Sequence, residues 1–194
     1  MFEKNINLID FQTIFVTLVV CGVSFLRVIP HVYNFSPVIA LAIFGAIHYK
    51  HRKLAYLVPL MSILFSDIII NNFVYNLSNN IVIFYKGFYW QYISYAIIIF
   101  LSLKYNHKKI NIKNISFLVI STSTLFFVTT NFGYWLTSGL YTHNISGLFK
   151  CYVNAIPFFE GTLLGAIFYT PIFIGLYYFL QRKITYLQSK HLYY

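Results

Sequence analysis

The sequence places three charged side chains, Arg27, Asp67 and Glu160, inside or at the ends of strongly apolar stretches. A charge at the centre of a bilayer costs roughly 2.5–3.5 kcal/mol on insertion scales, so such a side chain usually faces a protein interior or a ligand path. One arginine cannot neutralise two carboxylates, so either one acid is protonated or a cation or polar ligand completes the group. The three residues therefore predict a shared polar site. An ion pair that only fixes helix packing is the alternative interpretation.

The composition indicates a membrane protein. Of the 194 residues, 59% are hydrophobic and 9% are charged, and the mean hydropathy is +0.68. A soluble domain is typically about 25% charged. We therefore expect an all-α polytopic protein that forms a single integral membrane domain over residues 1–194 and lies in the inner cell membrane.

Six apolar segments can be marked along the chain, and they predict about six transmembrane helices. A span needs about 20 residues, and the second segment is short, with Pro30 and Pro37 interrupting its approach. The segments are Phe11–Val28, Pro37–Tyr49, Leu54–Phe73, Phe88–Leu103, Ile115–Leu136 and Ala155–Leu180.

The basic residues predict the orientation of these helices. All but three of the 14 Lys and Arg residues, the exceptions being Arg27, Lys86 and Lys150, fall on one side of the predicted membrane. The positive-inside rule then makes both termini cytoplasmic. This placement in short loops also argues against nucleic-acid binding, despite the net charge of +10. A signal peptide over residues 1–28 is a competing interpretation, but the stretch lacks a strongly basic start and a small-x-small cleavage site.

The helical rise brings the polar residues to a similar depth. Asp67, Glu160 and Asn131 are expected about 10, 8 and 6 Å below the outer boundary of the bilayer core. Nearby aromatic rings would supply apolar walls for a ligand, although an ordinary interfacial belt also explains them. The predicted ligand-binding residues are Arg27, Asn34, Asp67, Asn71, Asn131, Tyr134, Trp135, Phe158, Phe159 and Glu160.

Two small-residue spacings, Ala42 with Ala46 and Gly161 with Gly165, allow helices to approach closely. They predict helix packing or the docking of a partner subunit. The sequence contains no G-x-S-x-G nucleophile motif and no H-E-x-x-H metal motif. We therefore predict that the protein is not an enzyme and needs no metal or cofactor.

Several motif blocks carry a resemblance to known proteins. They are the R-x-x-P-H-x-x-N-F-S-P block that begins at Arg27 and the T-N-F-G-x-W block that begins at Thr130, together with Ser66-Asp67 and Ile156-Pro157-Phe158-Phe159. These blocks resemble a family of small, uncharacterised bacterial integral membrane proteins over nearly the whole chain. That family is in turn similar in size and helix plan to the substrate-binding S components of energy-coupling-factor (ECF) transporters.

The second resemblance implies a membrane-embedded substrate-binding or transport subunit for a small, micronutrient-like solute. Its partners would be the lipid bilayer, the solute and a separate ATP-driven transport module, because this chain has no phosphate-binding loop. S components often carry an A-x-x-x-A motif in the first helix, whereas here the motif lies in the second segment, at Ala42 and Ala46. An ion- or proton-coupled carrier and a structural membrane protein without a ligand remain the alternatives.

Overall fold

A computed structural model describes residues 11–29, 34–75, 78, 80–105 and 111–184. This part of the chain contains helices and connecting segments but no strand, which confirms the all-α prediction. The helices are α1 (Phe11–Ser24), α2 (Val38–His48), α3 (Arg52–Ile69), α4 (Phe88–Lys104), α5 (Ile112–Thr137) and α6 (Ile145–Lys183). A 3-10 turn (Phe25–Val28) extends α1, and a π-helical turn (Ile70–Val74) extends α3.

Four of these elements are long and apolar enough to cross a membrane. They are α1 with its 3-10 turn, α3 with its π-helical turn, α5 and α6. Their outward faces are apolar, with Leu18 66% exposed on α1 and Phe117 73% exposed on α5. Lipid tails solvate such side chains without penalty, whereas water does not. The structure thus supports a membrane protein, and the count of six spans remains a prediction.

The central element is α2, which the other five helices surround. Every residue from Val38 to His48 is buried. An 11-residue helix is only about 16 Å long, about half the thickness of the hydrocarbon core. The second predicted segment is therefore a helix enclosed within the bundle and shorter than each of its neighbours. Other helices of the protein contact α2 on all sides.

The small residues of the two predicted motifs lie inside the bundle. Ala42 and Ala46 are fully buried on α2, and Gly161 and Gly165 are buried on α6. A Cβ added at Gly165 would lie 2.9 Å from both the backbone N and the backbone O of Ser36. These positions favour the helix-packing interpretation over partner docking.

The last helix begins earlier than the sequence predicted. The sixth apolar segment predicted a helix from Ala155, but α6 starts at Ile145. The Asn144 side chain accepts a hydrogen bond from the Gly147 backbone N at 2.8 Å, which caps the helix. Polar residues in this first part of α6 concealed it from a search for apolar runs. The two termini, which are predicted to be cytoplasmic, lie outside the described residues (1–10 and 185–194).

The close approach of α6 to Ser36 gives a stability prediction. Gly165→Val should lower the free energy of unfolding by about 1–3 kcal/mol, because the new side chain meets backbone atoms that cannot move aside. Gly175→Val is the matched control on the same helix, since a Cβ there meets nothing within 4 Å. Unfolding in mixed micelles by increasing SDS measures both variants. Equal destabilisation by the two would show that helix propensity, not packing against Ser36, sets the cost.

Candidate functional site

Two of the three residues of the predicted polar site, Arg27 and Asp67, form a buried ion pair. Arg27 Nη1 lies 2.7 Å from Asp67 Oδ1, and the two side chains are only 14% and 6% exposed. Arg27 reaches Asp67 from the 3-10 turn that ends the first span, while Asp67 lies in the last turn of α3. The pair is about 22 Å from the start of α3, so it lies toward the end of the bundle opposite the basic segment at Lys50–Lys53.

Hydrogen bonds from a third helix, α4, hold the carboxylate in place. Tyr92 on α4 donates to Asp67 Oδ2 at 2.9 Å, and Gln91 Nε2 donates to the same oxygen at 3.3 Å. Arg27 Nη1 also donates to Ser66 Oγ at 2.7 Å. The ion pair thus joins α1, α3 and α4. Such additional hydrogen bonds offset part of the desolvation cost of a buried charge pair.

The segment before α4 contributes one more hydrogen bond to this network. The Tyr85 hydroxyl donates to Gln91 Oε1 at 2.7 Å, which fixes the amide so that its nitrogen faces Asp67. Burial, and then the negative charge of Asp67, raise the pKa of Tyr85 above its ordinary value. The hydroxyl therefore stays protonated and remains a donor across the physiological pH range.

The ion pair lies in the wall of a cavity of about 710 Å³. Asn71, in the π-helical turn, lines the same cavity and is 5% exposed. Its Nδ2 is buried and has no hydrogen-bond partner among the described residues. Ser36, Val38 and Ile39 line the cavity from the start of α2. The hollow therefore lies beyond the N-terminal end of the short central helix, where its longer neighbours continue.

A second cavity of about 410 Å³ lies between α5 and α6. It adjoins the first, because Asn34, Phe126 and Thr162 line both. Asn34 has a backbone φ of 58°, a left-handed conformation that asparagine adopts more readily than most residues. The predicted site residues that line this second cavity are Asn34, Asn131, Tyr134, Phe158 and Phe159.

Two of the predicted site residues lie elsewhere. Glu160 is exposed and lines neither cavity. Its neighbours one turn away on α6, Ile156 and Leu164, are 48% and 56% exposed, so this face of the helix points outward. Trp135 also lines neither cavity, and its Nε1 donates to the Thr142 backbone O at 2.9 Å. The structure thus brings Arg27 and Asp67 together and leaves Glu160 outside their group.

Several residues of the site were not predicted from the sequence. Gln91 and Tyr92 bind Asp67, Tyr85 orients Gln91, and Lys86 lines the larger cavity. One signal for α4 was present in the sequence, since Gln91 and Tyr95 are four residues apart and both line that cavity. Tyr85 and Lys86 lie in a connecting segment, where no periodicity indicates which side chains turn inward.

The family model of a family of unknown function, DUF6580, matches residues 7–189. The chain belongs to this family. Membership of DUF6580 agrees with the resemblance to an uncharacterised family that the sequence blocks indicated, while the likeness to S components remains a prediction. No curated protein and no solved structure matches the chain.

The two membrane-embedded carboxyl groups should differ in their effect on stability. Asp67→Asn leaves the buried Arg27 without its counter-charge and should cost about 3–5 kcal/mol of unfolding free energy. Glu160→Gln changes a side chain on the outward face of α6 that lines neither cavity, so it should cost much less than Asp67→Asn. SDS-induced unfolding in mixed micelles compares the two variants. A larger loss from Glu160→Gln than from Asp67→Asn would show that the ion pair contributes little to the fold.

Proposed function

We propose that this protein is a membrane-embedded substrate-binding or transport subunit that holds a small solute in the two adjoining cavities. The observation that carries the proposal is the Asn71 amide, which is buried without a hydrogen-bond partner among the described residues, in the wall that also holds the Arg27–Asp67 pair. A buried donor left unsatisfied costs about 1–3 kcal/mol. A bound solute that accepts from Asn71 removes this cost.

The dimensions of the cavities support a small-molecule ligand. Their volumes of about 710 and 410 Å³ fall within the range of roughly 300–1,000 Å³ that is usual for such sites. Their linings combine a few convergent polar groups with aromatic rings, which is the common composition of a small-molecule site. A protein whose charges served only to pack helices would have no need of this hollow.

The positive-inside rule supports access from outside the cell. The larger cavity lies near the ends of α1 and α3, away from the basic segment between α2 and α3. With that basic segment in the cytoplasm, the cavities belong to the outer half of the membrane. This arrangement suits the capture of an external solute and agrees with the expected six-span plan and cytoplasmic termini.

A likeness to S components would add a separate ATP-driven module as a partner. Ala42 and Ala46 are buried on the central helix, so this pair is not available to such a module. A partner module would instead dock on an outward face of the bundle. The binding role of the cavities does not depend on whether such a module is present.

Native mass spectrometry of the gently purified protein tests this function. The wild type should carry a small molecule that Thr162→Phe excludes, because Thr162 lines both cavities and the larger ring fills their junction. Ile167→Phe is the control, since Ile167 lies on the same helix and is 47% exposed. Equal ligand occupancy in the two variants would place the bound molecule elsewhere, and a wild type that carries none and takes up none would contradict the proposal.

A further inference from the structure

The two cavities differ in the charge of the side chains that line them. A ligand that fills both must have two parts that match these linings. Among the described residues, the charged side chains that line either cavity are Arg27, Asp67 and Lys86, and all three belong to the larger one. The smaller cavity carries uncharged polar side chains such as Asn131 and Asn154, and most of its wall is formed by the rings of Phe126, Phe127, Tyr134, Tyr141, Phe158 and Phe159. Flat apolar groups pack well against such rings. A solute that spans both cavities therefore has a charged end and a flat, largely apolar body.

The Asp67 carboxylate, which is the charged acceptor among the described residues of the larger cavity, already has partners within the protein. Asp67 Oδ1 forms the ion pair with Arg27, and Asp67 Oδ2 accepts hydrogen bonds from Tyr92 and Gln91. The side-chain carbonyl oxygen of Gln91 accepts a hydrogen bond from the Tyr85 hydroxyl. A cationic ligand would have to displace these hydrogen bonds to reach the carboxylate. The network thus makes Asp67 a positioning residue for Arg27.

Arg27 and Asn71 keep hydrogen-bond donors that have no partner among the described residues. Arginine has five N–H donors, and the contacts that Arg27 makes with described residues all use Nη1. Nε and Nη2 form the edge of the guanidinium that binds a carboxylate with two parallel hydrogen bonds. Asn71 Nδ2 and the Ser36 hydroxyl are buried without partners among the described residues and line the same cavity.

The net charge of the larger cavity and the direction of α2 both favour an anionic ligand. Arg27 and Lys86 together exceed the single negative charge of Asp67 among the described lining residues, which leaves one positive charge in excess. The start of α2 also faces the cavity through Ser36 and Val38, and its N-cap residue, Pro37, makes no side-chain capping hydrogen bond. The exposed N–H groups of a helix N-terminus favour an anion.

We infer that the solute is a small monoanion, a carboxylate attached to a flat apolar body. The carboxylate binds Arg27 and Asn71 in the larger cavity, and the body lies between the aromatic rings of α5 and α6. This inference rests on the proposed solute-binding function and adds the chemical class of the ligand. It also assigns Asp67 to the support of Arg27 instead of direct ligand contact.

Three probes with one ring system and different charge test the inference. They are indole-3-acetate, indole-3-acetamide and tryptamine, which present an anion, a neutral amide and a cation on the same flat ring. Equilibrium dialysis in detergent micelles should show that wild-type protein binds the carboxylate about 10- to 100-fold more tightly than either analogue, the usual effect of charge-assisted hydrogen bonds.

Variants locate the source of this preference. The double variant Arg27→Gln/Asp67→Asn removes both charges of the pair without leaving either one unpaired, and it should reduce the preference to within about threefold. Lys86→Gln, in an exposed segment, should reduce the preference in part without affecting the fold. Lys53→Gln, at the opposite end of α3, is the control and should leave it unchanged.

Each other outcome overturns the inference in a distinct way. Equal or tighter binding of the amide or the amine would show that the cavity does not select an anion. A preference for the carboxylate that survives in the double variant would place the anion away from Arg27. If no probe binds, the flat-carboxylate class is wrong, while a co-purified molecule excluded by Thr162→Phe would still support the solute-binding function.

Discussion

The buried ion pair between Arg27 and Asp67 is the constraint on which the site depends. Removing two charged groups from water costs several kcal/mol per ion, and apolar residues of similar size often stabilise a protein just as well. The bundle nevertheless directs three helices toward this pair, with Tyr92 and Gln91 as additional donors to Asp67. Because stability alone does not require this arrangement, a polar site that uses the remaining donors of Arg27 explains it better.

The short central helix creates the room for that site. Residues Val38–His48 are buried on all sides, and α2 ends well short of the distance that α3, α5 and α6 span. The cavity beyond its N-terminus is lined on one side by the 3-10 turn with Arg27 and on another by the π-helical turn with Asn71. Irregular backbone at membrane depth is tolerated where it lines a cavity or is buried in protein. Both irregular turns therefore lie where the proposed ligand would bind.

The sequence predicted the helical class and the meeting of Arg27 with Asp67, but it treated Glu160 as equivalent to Asp67. Depth follows from the rise per residue, whereas the direction of a side chain depends on the rotation of its helix. A finer comparison was available: Asp67 has Asn71 one turn away, while Glu160 has Ile156 and Leu164 on either side. A polar neighbour on the same face indicates the interior of a membrane bundle, and apolar neighbours indicate lipid. The contributions of Tyr85 and Lys86 depend on the path of a connecting segment and could not be predicted in this way.

A double-mutant cycle between Arg27→Gln and Asp67→Asn, measured by SDS-induced unfolding in mixed micelles, tests the central interaction most directly. A buried, hydrogen-bonded pair predicts a coupling free energy toward the upper end of the usual range of about 0.5–3 kcal/mol, with the double variant more stable than the sum of the single losses indicates. Additive effects, with a coupling free energy near zero, would show that the two side chains do not form the ion pair on which this account of the site rests.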